Sequence, residues 1–186
     1  MKEVEGSKVY RLFYPVVPAV VAARHMGILG AMPVVSLVSL ANDPPMVGFS
    51  SSPSHSTLKA VLASGMFSVS WLDRRYSGPI VELGSKTGAG ARDKLTLVGL
   101  NHTRGKALGV PIVKESSASL ECRVVASEEY GDHVFVVGRV ERAEASEDFR
   151  DYWGFEGYKP TMYAGIEKPI GNFSPAAASK DLNRRR

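Results

Sequence analysis

The segment Ser50-Ser51-Ser52-Pro53-Ser54-His55-Ser56-Thr57-Leu58-Lys59 packs six hydroxyl side chains, one histidine and one lysine into ten residues without a single acidic group. An apolar strand-like run precedes it and a helix-like run follows, so the hydroxyls fall where a helix would begin. A helix start leaves backbone N–H groups without internal partners and carries the positive end of the backbone dipole. Capping accounts for one or two of the hydroxyls, with a Ser or Thr expected at the N-cap. The others, with Lys59, suit an anion such as a phosphate, held without the glycines of the better-known phosphate loops.

Other chemistries are excluded by spacing. The Gly-rich stretch at residues 84–90 lacks G-x-G-x-x-G, and residues 99–107 miss the P-loop pattern because Gly99 and Gly105 stand one residue too far apart and Ala107 replaces the hydroxyl residue. Gly48-Phe49-Ser50-Ser51-Ser52 has no second glycine and makes no nucleophile elbow. His25, His55, His102 and His133 are scattered, without ligand spacing, so no metal site is expected. Cys122, the only cysteine, lies in an alternating strand and reads as a packed thiol in a reducing compartment.

The elements that must carry the Ser-rich turn are mostly strands. Residues 16–24, 33–40 and 46–51 are short β-rich runs divided by His25-Met26-Gly27 and Asn42-Asp43-Pro44-Pro45, and the two runs around the proline pair read as buried on most faces. Residues 54–65 switch to helical period, with Leu58, Val61 and Leu62 apolar and Gly65 at the C-terminus. A strand follows at residues 66–72 and a second helix is expected over residues 76–83. The sequence GSKTGAGARDK predicts an irregular, functional loop. The clearest strands, at residues 119–130 and 133–145, are joined by a tight turn at Gly131-Asp132. Six or seven strands with two or three helices predict a mainly β barrel rather than a doubly wound sheet.

The chain has 186 residues and a formal net charge of +4. Four basic groups and one acidic group occupy residues 180–186, so the basicity is concentrated in a tail and argues only weakly for a nucleic-acid partner. Residues 1–178 are expected to form one domain and residues 179–186 a basic tail. The apolar run at residues 16–23 is too short to span a bilayer, and the amino-terminal residues show no export signal, so a cytoplasmic location is the expectation.

Taken in order, several pieces resemble the flavin reductase-like family, the FMN-binding split barrels. They are Gly30-Ala31-Met32-Pro33-Val34-Val35-Ser36, the Asp43-Pro44-Pro45 element before an apolar strand, the Ser-rich turn, Ala63-Ser64-Gly65, Asp93-Lys94-Leu95 and Gly131-Asp132-His133. The resemblance implies a six-stranded antiparallel split β-barrel with Greek-key connections and a few short helices, forming a homodimer that holds FMN, or FAD in some members. It implies that Met32, Pro33, Val34 and Val35 line the isoalloxazine edge. Ser50, Ser51, Ser52, His55, Ser56 and Thr57 would hold the ribityl phosphate with Lys94 close by, and His133 would lie near flavin and nicotinamide. Pro33 departs from the family pattern, since it has no N–H to offer the flavin. The implied activity is a flavin reductase that takes hydride from NAD(P)H. The alternatives are a flavoredoxin-like electron-transfer protein reduced by a protein partner and, more remotely, a nucleic-acid-binding β-barrel.

Overall fold

The computed structural model describes residues 1–85 and 92–165. Nine strands and three α-helices occur among them: β1 (Ala19–His25), β2 (Ile28–Val34), β3 (Val38–Asn42), β4 (Pro45–Ser51), α1 (Ser56–Ser64), β5 (Met66–Leu72), α2 (Ser77–Ser85), α3 (Lys94–Leu97), β6 (His102–Arg104), β7 (Pro111–Val113), β8 (Ser116–Tyr130) and β9 (His133–Ala145). Seven strands form one antiparallel sheet in the order β2-β1-β5-β8-β9-β4-β3, and β6 pairs with β7 separately.

The connectivity forces this sheet to curl. Its two edge strands, β2 and β3, are consecutive in the chain and separated only by residues 35–37. Such a link reaches at most about 14 Å, whereas the edges of a flat seven-stranded sheet would lie roughly 29 Å apart. A barrel is the solution, and Ser36 fastens its seam. Its Oγ donates to the Ser50 carbonyl at 3.0 Å and accepts from the Ser50 N–H at 2.9 Å.

Two apolar clusters fill the structure. One gathers Val21, Met32, Phe49, Leu58, Phe67, Val69, Cys122 and Val136, with Phe49 and Phe67 in edge contact. The other lies on the opposite face of β1 and β2, where Val20, Ala22 and Ala31 meet Ile80 and Leu83 of α2 and Leu95 of α3. Because β1 is covered on both faces, its sequence is continuously apolar rather than alternating.

Several sequence expectations change. The strands outnumber the six or seven expected, because a separate two-stranded sheet is added to the barrel. The run at residues 33–40 is not one strand: it contains the end of β2, the bend at residues 35–37 and the start of β3. β3 is also largely exposed, contrary to the buried reading, because it is an edge strand with only β4 beside it. The second helix runs over Ser77–Ser85, preceded by a 3-10 turn at Arg74–Tyr76. The loop expected within residues 84–94 falls partly, and the basic tail wholly, outside the described residues. No helix among the described residues is long and apolar enough to cross a membrane.

Candidate functional site

β2 supplies one wall of the site. Met32 and Val34 are buried, while Pro33 and Val35 are partly covered. The outer edge of β2 is free of other strands, and the Leu29 N–H there reaches the Arg92 carbonyl at 2.9 Å. Strand alternation turns the main-chain groups of Pro33 toward this same edge, so its missing N–H removes no bond from the β1 ladder.

The end of β4 and the start of α1 supply the second wall. Ser51 is buried, and its Oγ donates to Met32 Sδ at 3.5 Å and lies 2.9 Å from His55 Nδ1. The Ser52 and Ser54 hydroxyls lie 2.9 Å apart, and the His55 N–H donates to the Ser52 carbonyl. The helix therefore starts differently from expectation. His55, not a hydroxyl residue, is the N-cap, and it offers no side-chain bond to the first turn. The hydroxyls that would have capped α1 are turned toward one another, Met32 and His55.

The turn sits close against β2. At Gly30 an added Cβ would approach Thr57 Cα to 3.0 Å and its Oγ1 to 3.1 Å, so the absence of a side chain lets α1 rest on the strand. Thr57 is buried there, whereas Ser56 and Lys59 face solvent.

Lys94 approaches from the other side of β2, where Leu29 forms an isolated bridge with Asp93. The residue as a whole is only 7% exposed, and its side chain makes no hydrogen bond or ion pair with a described residue. Burial holds the Lys94 ammonium below its ordinary pKa. The neighbouring Asp93 carboxylate is committed elsewhere. Oδ1 accepts from the Leu95 and Thr96 N–H groups at 3.1 Å each, and Oδ2 accepts from His102 Nε2 at 2.7 Å. Burial raises the Asp93 pKa, but the Thr96 N–H and His102 more than offset it, leaving the carboxyl below its usual range.

The sequence between residues 10 and 164 matches the model of the flavin reductase like domain. The chain belongs to the flavin reductase like family. An uncharacterized protein of Aeropyrum pernix is 33% identical over 92% of this flavin reductase-like chain, which spans 65% of that protein's length. The reductase subunit of a flavin-dependent monooxygenase from Mycobacterium tuberculosis is 32% identical over 57% of the chain and 53% of its own length. Among solved structures, an FMN-binding protein of Thermus thermophilus superposes with a TM-score of 0.76 at 28% identity, covering 94% of this chain and 97% of that one. The mainly β, split-barrel architecture is thus shared with a flavoprotein of the family.

Within this flavin reductase-like barrel, His133 lies beyond the Val134–Ser51 pair of the β4–β9 ladder, so it shares the sheet end that carries Ser51 and Ser52. It is half-exposed, and its Nδ1 donates to Asp132 at 2.8 Å. Cys122 faces the barrel interior; burial, with Glu121 and Glu141 nearby, pushes its thiol up to about 12, which suits a packing role. Among the described residues no three His, Cys, Asp or Glu side chains cluster as metal ligands. Sequence reasoning missed Ser36, whose role as a seam depends on barrel closure. It named Asp93 only within a family motif and His102 only among scattered histidines and missed their contact, although an Asp before Lys94-Leu95 is a recognisable N-cap signal.

Proposed function

We propose that this protein binds FMN with its phosphate at the turn between β4 and α1 and works as an NAD(P)H-dependent flavin reductase. The observation that carries the reading is the pairing of an uncapped helix start with a largely buried lysine that has no partner among the described residues, on the two flanks of one edge strand. An ammonium drawn partly out of water without an anion is disfavoured, and a phosphate beside it would relieve that. The donor set fits such a group, since the first-turn N–H groups of α1, the hydroxyls of Ser52 and Ser56, and Lys94 are all donors and no carboxylate faces them in the turn.

In this reading Ser50, Ser51, Ser52, His55, Ser56, Thr57 and Lys94 hold the ribityl phosphate. Met32, Pro33, Val34 and Val35 border the isoalloxazine along the β2 edge. The redox chemistry would be supplied by the flavin, which takes a hydride from a nicotinamide. The chain's own task is to bind, orient and exclude water, and a protein nucleophile is not needed. His133, held by Asp132, stands at the same sheet end, where it can position the nicotinamide. The reading also draws support from the FMN-binding relative and from the monooxygenase reductase subunit. A homodimer accompanies it, supported by exposed Tyr10, Leu12 and Phe13 on the amino-terminal 3-10 segment and by exposed Val38 and Leu40 on β3.

Purified protein mixed with FMN should bind it near equimolar ratio and show flavin absorption bands. Anaerobic mixing with NADH or NADPH should then bleach those bands. A protein that takes up no FMN removes the whole reading. Binding without bleaching by either nucleotide removes the hydride step and leaves an electron-transfer protein reduced by a partner.

A further inference from the structure

Asp93 and Lys94 are adjacent in sequence and opposite in charge, yet they are not paired. The reason lies in the geometry around the carboxylate. Both oxygens are taken: Oδ1 closes the start of α3 through two N–H groups, and Oδ2 is held by His102 Nε2. His102 is itself fixed by β6, where it stands opposite Val113 of β7. The preceding residue reinforces the frame, since the Asn101 side chain donates to Glu115 at 2.8 Å and the Asn101 carbonyl accepts from the Lys114 N–H at 3.0 Å. α3 and Lys94 are therefore anchored to a small sheet separate from the barrel.

We propose that His102 is a positioning residue, which holds the Asp93 carboxylate in the α3 cap and so keeps the Lys94 ammonium free for the flavin phosphate. The inference rests on the proposed placement of the phosphate beside Lys94. Its physical basis is competition between anions. A carboxylate released from His102 would be the nearest negative charge along the chain, and an ammonium partly withdrawn from water gains from an internal partner. Lys94 neutralised by Asp93 would attract a phosphate less. His102 touches neither flavin nor substrate in this scheme and acts through Asp93 alone.

The test compares FMN with riboflavin, which lacks the phosphate, on the full-length chain. The ratio of the two dissociation constants reports the phosphate contribution and leaves the isoalloxazine contribution in both terms. Lys94→Met should cut the preference for FMN by roughly ten- to a hundred-fold, the worth of a charge-assisted hydrogen bond. His102→Ala should cut it by about three- to tenfold with riboflavin affinity unchanged. His102→Gln, whose amide nitrogen can reach the same Asp93 oxygen, should restore it. In the Asp93→Asn background the cap acceptor remains but the competing charge is gone, so adding His102→Ala should leave the preference at the wild-type value.

The outcomes separate the two ideas. If Lys94→Met leaves the preference intact, the phosphate placement beside Lys94 fails and the role of His102 fails with it. If Lys94→Met removes the preference while His102→Ala does not, the placement stands and the His102 role is overturned. Equal losses from His102→Ala in the wild-type and Asp93→Asn backgrounds would show a merely structural effect and also overturn it. Riboflavin affinity monitors folding of each variant, and the His102→Gln and Asp93→Asn substitutions keep the test open if the alanine variant does not fold.

Discussion

In the loop over residues 105–108, consecutive backbone N–H groups converge on the buried Glu121 carboxylate: Lys106 at 2.7 Å, Ala107 at 3.0 and 3.1 Å, and Leu108 at 2.6 Å. At the start of α1, N–H groups also gather, but no side chain caps them. Each region has its lysine. Lys106 is exposed and pairs with Glu144 at 2.6 Å, whereas Lys94 is buried and has no partner among the described residues. Similar donors thus serve two purposes. The loop receives its anion from β8 and becomes structural, while in the proposed reading the turn is left to receive an anion from outside.

The same contrast accounts for the glycine at position 105. A Cβ there would collide with the Glu121 carboxylate, so the backbone can close over the anion only without a side chain. At Gly30 a similar closeness serves the opposite end, bringing Thr57 against β2 without supplying a negative charge.

The sharpest way to break the contrast is Glu121→Ala. It removes the shared acceptor of three main-chain donors in a partly exposed loop, together with the packing of a buried side chain, and should lower stability by about 2 kcal/mol, measured by denaturant unfolding. Affinity of the remaining folded protein for FMN should stay within about twofold. A loss under about 1 kcal/mol would mean that water replaces the carboxylate and that the loop is not built around it.

Lys94→Met should behave with the opposite sign in flavin-free protein. Burial disfavours the charged form, so Met should match wild-type stability or exceed it by about 1 kcal/mol. The sign with pH follows. With a folded pKa below the ordinary 10.5, the unfolded chain binds more protons in the interval between the two values. Wild-type stability should therefore rise with pH through that interval relative to Lys94→Met. A clear loss of stability in Lys94→Met would mean that the ammonium has an internal partner and that the contrast with Glu121 is false.

The smallest effect is expected from Asp93, at the acid end. Its folded pKa is below the ordinary 3.8, so its contribution is complete above that value and is lost as pH falls through the folded one. Asp93→Asn should flatten this part of an acid-unfolding curve. An unchanged curve would show that the α3 cap does not depend on charge.

Much of the barrel was legible because strand signals are local. Met66–Leu72 and His133–Ala145 match the runs read from sequence, and Gly65 ends α1 in a left-handed conformation at φ 68°, as its position indicated. The bend at residues 35–37 was not legible, because apolar residues continue through it and only Ser36 breaks the run. The N-cap was misread for a related reason. Every hydroxyl near residue 55 satisfies the local rule, and the choice of His55 follows from Ser51 turning inward to Met32, a contact between residues nineteen apart.

By itself the sequence determined the strand-rich class and the donor-rich, acid-free character of the turn, since these follow from residue types and short spacings, and its motifs carried the resemblance to the family. Only the tertiary structure decided that the sheet curls until its unpaired edges β2 and β3 are joined by one short link, that Lys94 and the turn flank one strand, and that Asp93 is held by His102 rather than by its neighbour. Those outcomes depend on which distant groups share a desolvated space. Burial decides whether a charge is paired or left unpaired, and it is a property of the packed chain that no short stretch of sequence carries.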